Sequence, residues 1–159
     1  SNVVLACMKH NIKLVYISTD YIYPGIRGDY KEEDSIMPIN KYAWSKLGGE
    51  CAVQLYKNSL ILRMSMSEKP FPHPRALADV KKSMIYNDEA AKIVIKLLEN
   101  TGIVNVGGEA RYIYDFVKES NQSIKKIFLE EIKDVNIAAN PSMNIDKMKR
   151  LLATGYEKL

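Results

Sequence analysis

The sequence predicts an α/β fold built on a doubly wound parallel sheet, and three observations carry that prediction. Short β-rich runs alternate with longer segments of helical period from residue 2 to residue 106, the order that parallel strands with crossover helices produce. The runs at 13–18, 59–64 and 103–106 are close to continuously apolar, as strands covered on both faces read. The 159 residues are 47% hydrophobic and 26% charged, which supplies one core and excludes disorder as the main state.

Taken in order, residues 2–9 are apolar nearly all round and suit a buried helix. Residues 13–18 (Lys-Leu-Val-Tyr-Ile-Ser) form a first strand. Pro24, Gly25, Gly28 and Asp29 then mark a turn-rich stretch, which Glu32, Glu33, Asp34 and Pro38 extend as a loop. Trp44, Leu47, Cys51 and Leu55 recur every three to four residues and predict a helix over 41–57, with Asn40 as its N-cap. Residues 59–64 form a second strand. Pro70, Pro72 and Pro74 make 66–78 a loop. A helix follows from about 88 to 100, its polar face formed by Asp88, Glu89, Lys92, Lys96 and Glu99, with Asn87 as its cap. Residues 103–106 form a third strand, stopped by Gly107-Gly108. Weaker helices are expected near 113–120 and 144–152.

The chain opens on a helix. A doubly wound domain ordinarily opens on a strand and a glycine-rich turn, and none of the eight glycines is spaced for such a turn. The expectation is therefore an incomplete doubly wound domain lacking its first strands and phosphate loop, either the C-terminal piece of a larger protein or a shortened relative. Residues 1–65 would form the later half of a dinucleotide-binding domain. Residues 66–159 would form a small substrate-binding region with a returning helix and strand at 86–108.

Several classes of function are excluded. The net charge of +4 is mild and the lysines are scattered, so no nucleic-acid partner is expected. No apolar run reaches the roughly 18–20 residues that span a bilayer, and no secretory signal opens the chain. Cys7 and Cys51 read as buried free thiols of a reducing, cytoplasmic compartment. His10 and His73 are too few and too far apart for a zinc site, so no metal is expected.

Three pieces carry chemistry. Ser18-Thr19-Asp20-Tyr21 ends the first strand, and ligands of parallel α/β sheets bind outside the carboxyl ends of strands. Tyr42-Ala43-Trp44-Ser45-Lys46 opens the next helix, and a spacing of four puts Tyr42 and Lys46 on one face. The loop between them is long enough to lay that helix beside the strand end. A tyrosine ordinarily ionises near pH 10, and an adjacent ammonium lowers that by about 1–3 units. A phenol so tuned is a better general acid, and Thr19 could hold a carbonyl oxygen while Tyr42 moves the proton. A second Tyr-x-x-x-Lys, Tyr114 to Lys118, follows no Ser/Thr strand end; the context, rather than the pentapeptide, carries the signal.

That context resembles the extended short-chain dehydrogenase/reductase superfamily, most closely its dTDP-4-dehydrorhamnose reductase branch. The matching stretches are 14–23 (Leu-Val-Tyr-Ile-Ser-Thr-Asp-Tyr-Ile-Tyr), 38–50 (Pro-Ile-Asn-Lys-Tyr-Ala-Trp-Ser-Lys-Leu-Gly-Gly-Glu), 60–63, 86–91 and 102–108. The resemblance covers roughly residues 1–120 and implies a Rossmann-like fold. It implies that Thr19, Tyr42 and Lys46 are catalytic, with Tyr42 the proton donor and Lys46 holding the nicotinamide ribose and lowering the Tyr42 pKa. It places Ser18, Tyr42, Lys46, Met64 and Ser65 against an NADP or NAD cofactor, and Asp20 and Tyr21 near a bound sugar. Arg75, in a segment between Arg63 and Tyr86 that is short for the family, could pair with a nucleotide pyrophosphate.

The implied activity is NAD(P)H-dependent reduction of a 4-keto nucleotide sugar. The alternatives are an epimerase or dehydratase of the same superfamily, or a non-catalytic regulatory subunit or inactive fragment. The resemblance also implies a homodimer through the 41–57 helix and residues 1–10. Lys81-Lys82 and Lys125-Lys126 read as solvated faces, Trp44 as core or cleft wall, and Gly48-Gly49 as a close helix contact.

Overall fold

The computed structural model describes residues 1–154; residues 155–159, the end of the expected 66–159 region, lie outside the described residues. In chain order the elements are α1 (Asn2–His10), β1 (Leu14–Thr19), α2 (Lys41–Val53), β2 (Ser59–Met64), β3 (Met66–Ser67), β4 (Arg75–Leu77), β5 (Lys81–Lys82), β6 (Ile85–Tyr86), α3 (Asn87–Leu97), β7 (Gly102–Val106), β8 (Arg111–Tyr112), α4 (Ile113–Lys118), β9 (Lys125–Ile127) and α5 (Asp146–Thr154). A 3-10 turn, Asp20–Ile22, follows β1 directly, and a second, Leu129–Glu131, follows β9.

The centre is a parallel sheet in the order β1-β2-β7. All six residues of β2 are buried, because helices cover both faces of the sheet. On one face Val4 and Cys7 of α1 and Val53 of α2 pack on Tyr16 and Ile61. On the other, Ala90 and Leu97 of α3 and Met148 of α5 pack on Leu60, Leu62, Val104 and Val106. This alternation along each strand is the period-2 geometry of a pleated chain, and it gives the mixed α/β, Rossmann-like architecture that the sequence predicts.

Beside the sheet sits a lobe with its own core of Ala76, Val80, Met84, Ile113, Phe116, Val117 and Ile124. Two-stranded pairs build it: β3 with β6 and β4 with β9 in parallel, and β5 with β8 antiparallel. The expected loop over 66–78 therefore holds β3 and β4. Its three prolines fall between those strands, where no ladder donor is needed.

Asn40 caps α2 as expected, its Oδ1 accepting from the Ala43 amide at 2.8 Å. The helix ends at Val53 rather than 57. There the Ser59 hydroxyl donates to the Val53 and Tyr56 carbonyls at 3.2 and 2.5 Å, satisfying orphan acceptors at the helix end. The cap of α3 is Tyr86, whose side chain makes no capping bond, and Asn87 is its first residue, because that helix springs straight from β6.

Helix surfaces differ from expectation in one consistent way. Val3, Leu5 and Met8 of α1 are exposed, as are Trp44 (60%) and Leu55 (75%); α1 is not buried all round and Trp44 is not core. Cys7 is buried but Cys51 is exposed, and both are free thiols. The face of α2 turned to the sheet is instead Ala43, Glu50 and Val53. Small and charged residues sit there because α2 is pinned by a polar cluster rather than an apolar stripe. Glu50 and Arg63, both buried, form an ion pair at 2.9 Å. Arg63 also donates to the Tyr23 hydroxyl at 2.9 Å, and that hydroxyl donates to Asn105 at 2.8 Å. Asn105 in turn donates to the Tyr30 carbonyl at 2.8 Å. One network thus ties α2, β2, β7 and the long loop after β1 together.

Candidate active site

The site grows from the carboxyl end of β1. The strand delivers Ser18 and Thr19 buried, and the turn that follows places Asp20 buried beside them. The Thr19 hydroxyl donates to Asp20 Oδ1 at 3.2 Å and accepts from the Tyr21 amide at 3.3 Å. That amide bond makes Thr19 the cap of the turn, so strand end and turn are locked by one side chain.

Tyr42, in the first turn of α2, is 55% exposed. Its ring meets the Tyr21 ring edge-on, with centroids 6.5 Å apart and planes at 85°, an arrangement the ring quadrupoles favour. Thr19, Asp20, Tyr21 and Tyr42 therefore form one contiguous set. Lys46 lies one turn further along α2 and carries its ammonium 4.6 Å from the centroid of the Tyr16 ring on β1. The Tyr16 hydroxyl donates to the Lys46 carbonyl at 3.1 Å. Tyr16 thus fixes the backbone and the charge of Lys46 together, and burial and the Glu50 charge push its own phenol above the usual range.

Met64 and Ser65 are buried at the carboxyl end of β2, and Met64 stands in register with Thr19. The hydroxyls of Ser18 and Ser65 are buried without a hydrogen-bond partner among the described residues. Two orphan donors at adjacent strand ends are what a polar ligand laid across those ends would satisfy. Hydroxyls at strand ends are the donor chemistry that a polar ligand such as a dinucleotide takes.

Tyr21 also borders a cleft of about 760 Å³ between the sheet and the lobe, with Phe71, Arg75, Lys82, Met84 and Ile113 among its walls. This is the size class of a small-molecule site. Arg75 stands on its rim, paired with Glu131 at 3.4 Å with both side chains half-exposed. Such a pair holds weakly, so its guanidinium is available to an anionic ligand.

Lys82 departs most from expectation. The Lys81-Lys82 pair does not make a solvated face: Lys82 is 8% exposed. Its ammonium lies 3.0 Å from Asp20 Oδ2 and 3.9 Å from the centroid of the Tyr21 ring. Burial pulls the ammonium down, and the opposing Asp20 charge and Tyr21 contact outweigh it, so its pKa stands above the ordinary lysine value. One signal was legible: Lys82 lies at period two between Val80 and Met84, both buried. Among the described residues no cluster of His, Cys, Asp and Glu is arranged to hold a metal, and no helix is long and apolar enough to cross a membrane.

Comparison with known proteins bears on the fold. The RmlD substrate binding domain family model matches residues 1–67. A dTDP-4-dehydrorhamnose reductase of Aggregatibacter actinomycetemcomitans is 30% identical over 132 residues, covering 72% of this chain and 44% of that protein. A solved structure described as a hypothetical dTDP-4-dehydrorhamnose reductase from Sulfolobus tokodaii superposes with a TM-score of 0.80 at 28% identity, over 95% of this chain and 62% of that one. The dTDP-4-dehydrorhamnose reductase of Bacillus anthracis, solved in complex with NADP, has a TM-score of 0.80 at 22% identity, over 99% and 70% of the two chains, a likeness of fold. The fold, with these likenesses, is similar to that of the extended short-chain dehydrogenase/reductase type. Within that type the chain is related to the dTDP-4-dehydrorhamnose reductases, of which it spans 44% of the length in the Aggregatibacter relative.

Proposed function

We propose that this chain carries the acid–base and substrate side of an NAD(P)H-dependent reductase of 4-keto nucleotide sugars. The observation that carries the reading is the contiguous set Thr19, Asp20, Tyr21 and Tyr42, of which Tyr21 lines the cleft, with Lys46 one turn along α2. When bound, the reduced nicotinamide supplies a hydride for the sugar carbonyl carbon. Tyr42 holds the proton for the carbonyl oxygen. Its Cα is fixed in the first turn of a helix capped by Asn40, and its ring rests edge-on against Tyr21. Thr19 orients that oxygen by turning its hydroxyl proton from Asp20 toward it. Ser18, Met64 and Ser65, at the strand ends, would hold the dinucleotide together with Tyr42 and Lys46. Asp20 and Tyr21 line the sugar, and Arg75 exchanges Glu131 for the pyrophosphate, a charge-assisted contact of the bidentate kind.

The test is NAD(P)H consumption by the natural full-length polypeptide with dTDP-4-dehydrorhamnose as substrate. Tyr42→Phe is expected to lower kcat by about 10²-fold or more. An undiminished rate in that variant overturns the reading.

A further inference from the structure

The buried ammonium of Lys82 is a charged group of the cleft to which the reading above gives no part. It faces two ways. One side meets Asp20 Oδ2 at 3.0 Å, while the other oxygen of that carboxylate accepts from Thr19. The opposite side lies against the Tyr21 ring at 3.9 Å, and the Tyr21 ring is in turn met by the ring of Tyr42. Two arms of contact therefore leave one nitrogen: through Asp20 to Thr19, and through Tyr21 to Tyr42. We propose that Lys82 is a positioning residue, which fixes the catalytic hydroxyls of Thr19 and Tyr42 relative to each other by gripping Asp20 and the Tyr21 ring at once. The inference rests on the acid–base reading of those two residues.

The physical reasons are separate for each arm. Asp20 is almost wholly buried, and a buried carboxylate is stable only when paired and hydrogen-bonded. With Lys82 in place one oxygen is neutralised and the other is left to orient Thr19. Without it, both oxygens compete for the one hydroxyl and the carboxylate turns toward water. The Tyr21 ring is held by a cation on its face, a desolvated contact of the stronger kind. Without that cation the ring is free to turn about its χ angles, and the edge-on meeting with Tyr42 is lost. β5 sets the position of Lys82 through its pairing with β8, so the lobe, and not the sheet, sets this part of the site. A cation delivered from the lobe onto a strand end of the sheet makes the two bodies one site.

The experiment compares three variants of the full-length protein with the native form, each checked for folding by circular dichroism. Selectively labelled tyrosine reports the ring-to-ring nuclear Overhauser effect between Tyr21 and Tyr42, independently of any turnover. Lys82→Met is expected to lose that effect and to lower kcat on the order of ten- to a hundred-fold with KM little changed. Lys82→Arg, whose planar cation can pair with a carboxylate and stack on a ring, is expected to restore both. Lys82→Met combined with Asp20→Asn removes the buried unpaired charge and so keeps the fold, and it too is expected to lose the ring contact. A folded Lys82→Met or double variant that keeps the Tyr21–Tyr42 effect overturns the inference, whatever its turnover. Full turnover in Tyr42→Phe instead strikes the acid–base reading, so the two failures are told apart.

Discussion

Tyr23 shows how much a single buried hydroxyl can organise. Burial pushes its phenol up to about 12, against the opposing pull of the Arg63 charge and hydrogen bond. The folded form thus holds the proton more tightly than an unfolded tyrosine ionising near 10. The contribution to stability is complete below pH 10 and is lost as the pH rises through 12, by on the order of 2–3 kcal/mol. Urea unfolding followed from pH 9 to 12 is expected to show that decline, and Tyr23→Phe is expected to flatten it. The partner pair behaves differently. Removing Glu50 by Glu50→Ala leaves Arg63 charged and buried, at a cost of about 3–5 kcal/mol. Replacing both with apolar residues of similar volume is expected to cost much less, and a double-mutant cycle in urea measures the difference. Neither Glu50 nor Arg63 announces its partner in the sequence, because they are thirteen residues apart on different elements.

At the scale of the element, α2 presents its two adjacent glycines to different surroundings. A Cβ on Gly49 would fall inside the hydroxyl and ring of Tyr16, whereas one on Gly48 would meet nothing. Gly48→Ala is therefore expected to stabilise by up to about 1 kcal/mol through helix propensity. Gly49→Ala is expected to destabilise by about 1–3 kcal/mol, since the overpacked ring must move. Because Tyr16 also carries the Lys46 ammonium, Gly49→Ala should disturb the site while Gly48→Ala leaves it intact. Thermal melts with a titration of the cofactor check both statements. The expected close contact of this glycine pair thus belongs to Gly49 and to a ring of the same chain.

Across the whole molecule, β2 is the member shared by both layers of packing. Leu62, fully buried between α3 and the sheet, anchors the strand that carries Arg63 to the polar network and Met64 to the site. Leu62→Ala is expected to cost about 2–5 kcal/mol, and denaturant curves by tyrosine fluorescence and circular dichroism should shift together if sheet and site unfold as one unit. The lobe, with its separate core, meets the sheet across the cleft, and Lys82 crosses that boundary to Asp20. The two bodies share the site while each keeps an apolar core of its own.

The sequence by itself determined the three parallel strands, the helices between them, the Asn40 cap, and the placing of Thr19 at a strand end and of Tyr42 and Lys46 on the next helix. Those features are local: each rests on hydrophobic period, turn residues or a spacing of four along one helix. Only the tertiary structure decided that Trp44 and Leu55 face outward, that Glu50 faces inward against Arg63, and that Lys82 is buried against Asp20 and Tyr21. For Glu50 and Lys82 the deciding energy is a contact between residues distant in sequence. A polar side chain reads as solvated until the fold supplies the partner that makes its burial stable.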